Sequence, residues 1–291
     1  MRRKTQITTT SGQNARKWKK LKGESMSYDT LTFEEPEKGI GLITLNRPER
    51  LNAMNMGMLD DLYALFADLG KREDIRVLLL AGEGKGFCSG ADLKDDKLSG
   101  EEGLKFFSAA SIHLEKVQKI FAGVIEVMVK QPQPIIAVVN GVAAGGGFCL
   151  ALASDVTIAG PKAKFIASFI NIGLSGGELG TTYFLPRAVG RAKAAEILMT
   201  GRTVGAEEAD RIGLVSRLVA EKELMETAMQ IARTMLGKTP LGLRQTKEAL
   251  RLNMNAPNLE SAIELENRNQ SILCCSPEFF EAVMAFMKAD E

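Results

Sequence analysis

The sequence predicts an α/β protein, a spiral core of repeated ββα turns followed by an all-helical C-terminal region. Three observations carry this. The apolar runs Ile75–Ala81, Ile135–Val139 and Val156–Ala159 are short and continuous, as strands buried on both faces are. The order strand, glycine loop, helix, strand recurs around residues 75–110 and 135–160, which fits a repeated turn better than a doubly wound sheet. Beyond Glu221 the apolar spacing is purely helical. These divide the chain into a leader at 1–25, a spiral core at 26–220 and a helical region at 221–291.

The elements follow in order. Thr30–Glu34 and Gly39–Asn46 are β-rich runs split by a turn at Pro36–Gly39, a predicted hairpin. Pro48 and two asparagines break the next segment. From Asn55 to Arg72, Met58, Leu59, Leu62, Leu65, Phe66 and Leu69 mark one face of an amphipathic helix. A glycine-rich loop spans Gly82–Asp96, and one long helix is expected from Glu101 to Val129. Pro132 and Pro134 stop it before the Ile135–Val139 strand. A second loop, Asn140–Gly147, leads into a helix at Phe148–Ala153. Four C-terminal helices are expected at about 222–237, 240–254, 258–272 and 277–289.

Composition excludes several classes. Of 291 residues, 45% are hydrophobic and 25% charged, ordinary for a globular protein with a large core. No apolar run approaches a membrane span. Four cysteines without a CxxC pair, and the single His113, make no plausible zinc site. They read as the reduced thiols of a cytoplasmic protein. Residues 1–25 hold eight basic residues against one acid, leaving the remainder at a net charge of −6. A body of that sign, without a basic stripe interleaved with aromatics, does not attract nucleic acid. The leader fits an organellar transit peptide, a disordered basic arm or a mis-assigned start before Met26. The last is preferred, because Lys22-Gly23-Glu24 can be encoded as a bacterial ribosome-binding sequence.

Neither glycine loop matches a nucleotide motif. Gly145–Gly147 could simply allow close packing of helix on strand. Glycines also let a ligand approach the backbone, and free N–H groups at a helix start suit a developing negative charge. Two such loops side by side would offer two donors to one oxygen, an oxyanion hole.

Lys85-Gly86-Phe87-Cys88-Ser89-Gly90-Ala91-Asp92-Leu93, followed by Asn140-Gly141-Val142-Ala143-Ala144-Gly145-Gly146-Gly147, resembles the crotonase (enoyl-CoA hydratase/isomerase) superfamily. Asn46-Arg47-Pro48, Leu51-Asn52-Ala53, Leu185-Pro186-Arg187 and Gly213-Leu214-Val215 stand in that family's order. The resemblance runs from about Tyr28 to the C-terminus. It implies a crotonase-like spiral whose C-terminal helices build trimers, often paired into hexamers. It implies an acyl-CoA thioester as substrate, with coenzyme A entering as part of that substrate and no separate cofactor or metal. Ala91 and Gly146 would supply the oxyanion N–H groups. Asn52, Ala53, Lys85, Ala91, Asp92 and Leu93 fall where coenzyme A is held. Phe286 and Lys288 match a C-terminal aromatic and lysine that reach a neighbouring subunit's ligand.

One part of the pattern is missing. Hydratases of this family use two glutamates, one to activate water and one to deliver a proton. Those positions hold Cys149 and Phe169 here. A third acidic position, before Leu-Pro-Arg, carries an aspartate in dienoyl-CoA isomerases and in the isomerase of phenylacetate breakdown. Glu178 stands there. The expected function is therefore enoyl-CoA double-bond isomerisation with Glu178 as proton shuttle. Hydration through a Glu178-held water and a catalytically silent CoA-binding subunit are the alternatives. Phe169 would lie beside the reacting carbons and favour a flat acyl group. His113 has no visible triad partners.

Overall fold

The computed structural model describes residues 28–289, so the leader's expected roles lie outside the described residues. β1 (Leu31–Glu37) and β2 (Ile40–Leu45) pair antiparallel around Gly39 at φ +88°. β1 passes Pro36 because the register shifts between Glu34 and Glu37, and proline is tolerated at such an irregularity. Asn55 then caps α1 (Met56–Leu69) by accepting the Met58 N–H. β3 (Val77–Gly82) ends at the first glycine loop.

The single long helix expected at 101–129 is corrected to several pieces. Following a short α2 (Asp96–Ser99), these are α3 (Glu101–Lys105), α4 (Ala110–His113), a π-helical turn at Leu114–Gln118, and α5 (Lys119–Val129). The break falls at Phe106–Ala109, where apolar Phe107 stacks on His113 at 4.9 Å between ring centres. Next come β4 (Ile135–Val139), β5 (Val142–Ala144), α6 (Gly146–Ala153), β6 (Val156–Ala159) and β7 (Lys164–Ile166). A 3-10 turn at Ser168–Ile172 precedes α7 (Thr181–Val189), α8 (Arg191–Thr200), β8 (Thr203–Gly205), α9 (Ala206–Arg211) and β9 (Arg217–Leu218). The chain ends in α10 (Leu224–Leu236), α11 (Pro240–Asn253), α12 (Leu259–Cys274) and α13 (Pro277–Ala289).

Six strands form one sheet in the order β1-β2-β3-β4-β6-β9, parallel from β2 onward. A second sheet runs β5-β7-β8, and the bridges Cys88–Ala143 and Met54–Ala91 carry the chain's earlier loops onto it. β4 and β6 are each followed by a short strand of the second sheet, β5 and β7, and then by a helical segment. After β2 and β3 a single bridge, at Met54 and at Cys88, stands in the short strand's place before the helix. That is the repeated ββα turn which the glycine spacing predicts.

Alternation explains the continuous apolar runs. Leu78, Leu80, Ile135, Ala137 and Val139 face the main core with α1, α5 and α6. Val77, Leu79, Ile136 and Val138 face the other way, onto Leu224, Ala228, Met229 and Ala232 of α10. The helix that opens the C-terminal region therefore seals the second face of the sheet. By contrast, α11 buries no side chain and α12 buries only Asn269. Large apolar residues such as Leu250, Leu259, Phe280 and Met287 stay exposed on α11–α13.

Candidate active site

The two glycine loops meet directly. Cys88 N–H donates to the Val142 carbonyl and Ala144 N–H to the Cys88 carbonyl, both at 2.9 Å. Close approach requires glycine at the crossing. A Cβ on Gly147 would collide with the Cys88 carbonyl, and one on Gly90 (φ +97°) would stand 2.8 Å from the Ala144 oxygen. That same hypothetical atom would be 3.4 Å from the Gly146 nitrogen, so the loop bearing Ala91 abuts the start of α6.

The N–H groups are arranged by this pairing. Met54 N–H bonds the Gly90 carbonyl at 2.7 Å and Asp92 N–H bonds the Met54 carbonyl at 2.9 Å. In a parallel ladder this turns Ala91's own N–H away from Met54. Gly145 (φ +53°) turns the chain so that Gly146 is the first residue of α6, ahead of the helix's own hydrogen bonds. The helix dipole adds partial positive charge there. The Met54 Sδ–Cε end packs over Gly146, in the space a side chain would fill.

Glu178 is half-buried in the turn before α7, and its neighbour Leu179 comes within 3.7 Å of the position a Gly146 Cβ would take. Its Oε2 accepts from Gln118 Nε2 at 3.3 Å, and among the described residues no cation pairs with it. It lines a cavity of about 480 Å³ whose walls are Leu114, Ala122, Ile125, Leu179 and Phe184. Leu179 (φ +46°) holds a left-handed conformation that costs a branched residue about 1 kcal/mol or more.

Beneath Glu178, the Cys149 thiol donates to its carbonyl oxygen at 3.7 Å. Burial, then the charge of Glu178, pushes this thiol well above its ordinary value. Cys149 is therefore a packing group rather than a nucleophile. Phe169 packs against the main core and stands beside Gly145.

The other expected residues separate into two kinds. Asn52 is fully buried, and its side chain is engaged within the protein. Its Nδ2 donates to the Glu83 and Gly86 carbonyls at 2.9 and 2.8 Å while its Oδ1 accepts the Arg47 N–H. Asp92 is likewise engaged, 2.9 Å from Arg47, whose guanidinium also reaches the Ala53 carbonyl. Lys85 and Leu93 are exposed at the loop surface, and Ala53 is buried. Phe286 and Lys288 are exposed on α13, and the structure does not bring them to this chain's own site. His113 is stacked on Phe107 and does not line the Glu178 cavity.

The family model described as enoyl-CoA hydratase/isomerase matches residues 35–290. The chain belongs to the enoyl-CoA hydratase/isomerase family. It is an enzyme of the crotonase superfamily, as the motif order implied. A probable enoyl-CoA hydratase of Mycobacterium leprae is 39% identical over 258 residues, covering 88% of this chain and 86% of the relative. The 1,2-epoxyphenylacetyl-CoA isomerase of Escherichia coli is 36% identical over 251 residues, covering 86% and 93%. A crystal structure of a probable enoyl-CoA hydratase/isomerase from Mycobacterium abscessus superposes with a TM-score of 0.81 at 37% identity, covering 90% and 96%.

Sequence reasoning about this family member missed Gln118, Met54 and Thr181. The first two act across long separations in the chain. Thr181 alone carried a local signal, a threonine at the start of a helical run. Among the described residues no cluster of side chains could hold a metal ion, and no helix is long and apolar enough to cross a membrane.

Proposed function

We propose that this enzyme shifts a carbon–carbon double bond in an enoyl-CoA thioester, with Glu178 carrying one proton between two carbons. The observation that supports this is Glu178 itself, a half-buried carboxylate in an apolar cavity with a neutral amide as its side-chain partner. The other carboxylate lining the cavity, Glu126, is paired with Lys130 at 3.3 Å on an exposed face.

Glu178 removes a proton from C2 of a 3-enoyl thioester, and the electron pair spreads over C2–C4 and the thioester oxygen. The Ala91 and Gly146 N–H groups hold the charge on that oxygen. Glu178 returns the proton to C4, leaving a 2-enoyl thioester. No electron leaves the substrate, so the step calls for no redox cofactor, and coenzyme A enters as part of the substrate. Its arm would lie along Ala53, Lys85 and Leu93. Phe286 and Lys288 would come from a neighbour in a cytoplasmic trimer or hexamer, for which the exposed apolar side chains of α11–α13 offer surface.

Hydration is the second reading, favoured by the name of the Mycobacterium leprae relative. It needs a second acid–base group, and the buried Cys149 thiol and Phe169 supply none.

Glu178→Gln keeps shape but cannot shuttle a proton. It should leave CoA affinity within a few-fold and lower turnover by roughly 10²–10⁴. In deuterium oxide the wild type should exchange protons α or γ to the thioester, and the variant should not. Wild-type isomerisation by Glu178→Gln overturns the proposal. A panel of 3-enoyl, 2-enoyl and dienoyl thioesters separates isomerisation from hydration. Tight CoA binding without turnover would indicate a silent subunit.

A further inference from the structure

We infer that Gln118 is a positioning residue that aims the Glu178 carboxylate, an assignment that rests on the reading of Glu178 as proton shuttle. Gln118 Nε2 donates to Glu178 Oε2 at 3.3 Å across a separation of 60 residues. Both side chains line the same cavity. Gln118 closes the π-helical turn Leu114–Gln118, an irregularity of a kind that gathers at functional sites. The helix continues as α5, whose Ala122, Ile125 and Val129 line the same cavity. The polar group thus stands on a face otherwise given to the apolar part of a substrate.

The identity of the side chain matters. A cation here would hold Glu178 ionised and blunt it as a base. A carboxyl would compete for the proton. An amide does neither: it donates one N–H to Oε2, restrains the rotamer, and leaves Oε1 available to a substrate. The other end of the residue is already fixed, because Glu178 N–H bonds Thr181 Oγ1 at 3.0 Å and Thr181 N–H bonds its carbonyl at 2.9 Å. Gln118 completes the restraint by holding the carboxylate itself. A shuttle that serves two carbons needs this, since a freely rotating carboxylate would spend little time in reach of either.

Other charged or titratable groups face this cavity. Lys119 and Lys130 on the same helix are paired with Glu115 and Glu126, Tyr183 comes from α7, Arg251 from α11, and the Cys149 thiol lies beneath. None of them donates a hydrogen bond to the Glu178 carboxylate.

The test uses the full-length enzyme, with its 3-enoyl thioester as probe, in two variants. Gln118→Leu keeps the volume and removes the donor. Its kcat should fall about tenfold or more, while KM and CoA affinity stay within about twofold, as loss of one bond to a charged acceptor predicts. Gln118→Glu restores a donor only while the paired carboxyls share one proton. Its activity should be partly restored relative to Gln118→Leu at low pH, though below wild type, and disappear as pH rises and both ionise, a limb the wild type lacks. Wild-type kcat in Gln118→Leu, or equal losses of kcat and CoA affinity, overturns the inference. So does a Gln118→Glu profile parallel to wild type. Full turnover in Glu178→Gln removes the shuttle and this inference with it. An inactive Glu178→Gln beside a fully active Gln118→Leu overturns this inference alone.

Discussion

Thr181 closes on Glu178 from two directions. Its hydroxyl oxygen accepts the Glu178 N–H at 3.0 Å and its own N–H donates to the Glu178 carbonyl at 2.9 Å. The hydroxyl proton goes to the Gly176 carbonyl at 2.7 Å, and the side chain is fully buried at the start of α7. Together with the Cys149 thiol below, these bonds over-determine the turn, which is how a left-handed Leu179 persists beside the acid.

Thr181→Val keeps the shape and deletes the hydroxyl. The Glu178 N–H and Gly176 carbonyl then lose a partner in a buried setting, at a cost of about 1–3 kcal/mol. Denaturant melts should show that loss, and kcat should fall more than CoA affinity because the carboxylate drifts. Unchanged kcat in a destabilised protein would show that the turn serves folding alone.

The glycine crossing makes an asymmetric prediction. In Gly147→Ala the new Cβ meets the Cys88 backbone carbonyl, which cannot move aside, so the loops must part and folding should fail. At Gly146 the obstacle is the flexible tip of Met54, and this first helical position tolerates proline. Gly146→Pro should therefore fold while losing the N–H, at roughly 3–4 kcal/mol of transition-state stabilisation. Met54→Ala serves as the control for disturbed packing. A folded Gly146→Pro enzyme with wild-type turnover would remove Gly146 from the oxyanion hole.

Much of the fold was legible because its signals are local. The apolar runs of β4 and β6 end where the strands do, since Pro134 and Asn140 bound the first and Asp155 and Gly160 the second. α6 begins two residues earlier than periodicity indicates, because glycines carry no apolar signal and Gly146 is helical all the same. The break at Phe106–Ala109 was hidden by residues that favour helix well enough. Of the proposed site, Ala91, Gly146 and Glu178 rest on motif resemblance. The bonds of the Asn52 side chain to Glu83 and Gly86 are tertiary facts that no local pattern carries. Gln118 was missed for the same reason.

Alkaline pH should loosen the core. Burial pushes the Cys88 thiol up from 9.0 to about 12, and burial with Asp68 and Asp61 nearby raises Tyr28 from 10.0 to about 12. Both groups are protonated in the fold at pH values where the unfolded chain has released the proton. Their stabilisation is complete below about pH 9 and is lost as pH rises towards 12. Urea midpoints measured from pH 7 upward should fall from about pH 9, and Cys88→Ala should flatten that slope. A midpoint independent of pH up to 11 would contradict the burial argument.

The last prediction concerns what ties the C-terminal helices to the spiral. α11 buries no side chain, yet Lys247 reaches back from it to the sheet. Its ammonium bonds Asp155 Oδ2 at 2.7 Å and the Gln133 carbonyl at 3.0 Å, and the same Asp155 oxygen accepts the Ile135 N–H at 2.8 Å. A second tie, Arg187 to Asn255 at 2.8 Å, is exposed. The Lys247 side chain is only 10% exposed, so the pair is screened far less than surface pairs, but Asp155 at 32% keeps contact with water. Its loss should therefore fall below the cost of breaking a fully buried pair, at about 1–3 kcal/mol. Lys247→Ala should speed backbone hydrogen exchange across α11 while β3, β4 and α10 stay protected, since α10 is held by its own apolar face. Raising salt should leave the wild-type exchange of α11 nearly unchanged, because the lysine is sheltered. If α11 exchanges at the same rate in Lys247→Ala and wild type, the ion pair is incidental, and other ties such as Arg187–Asn255 hold the helix.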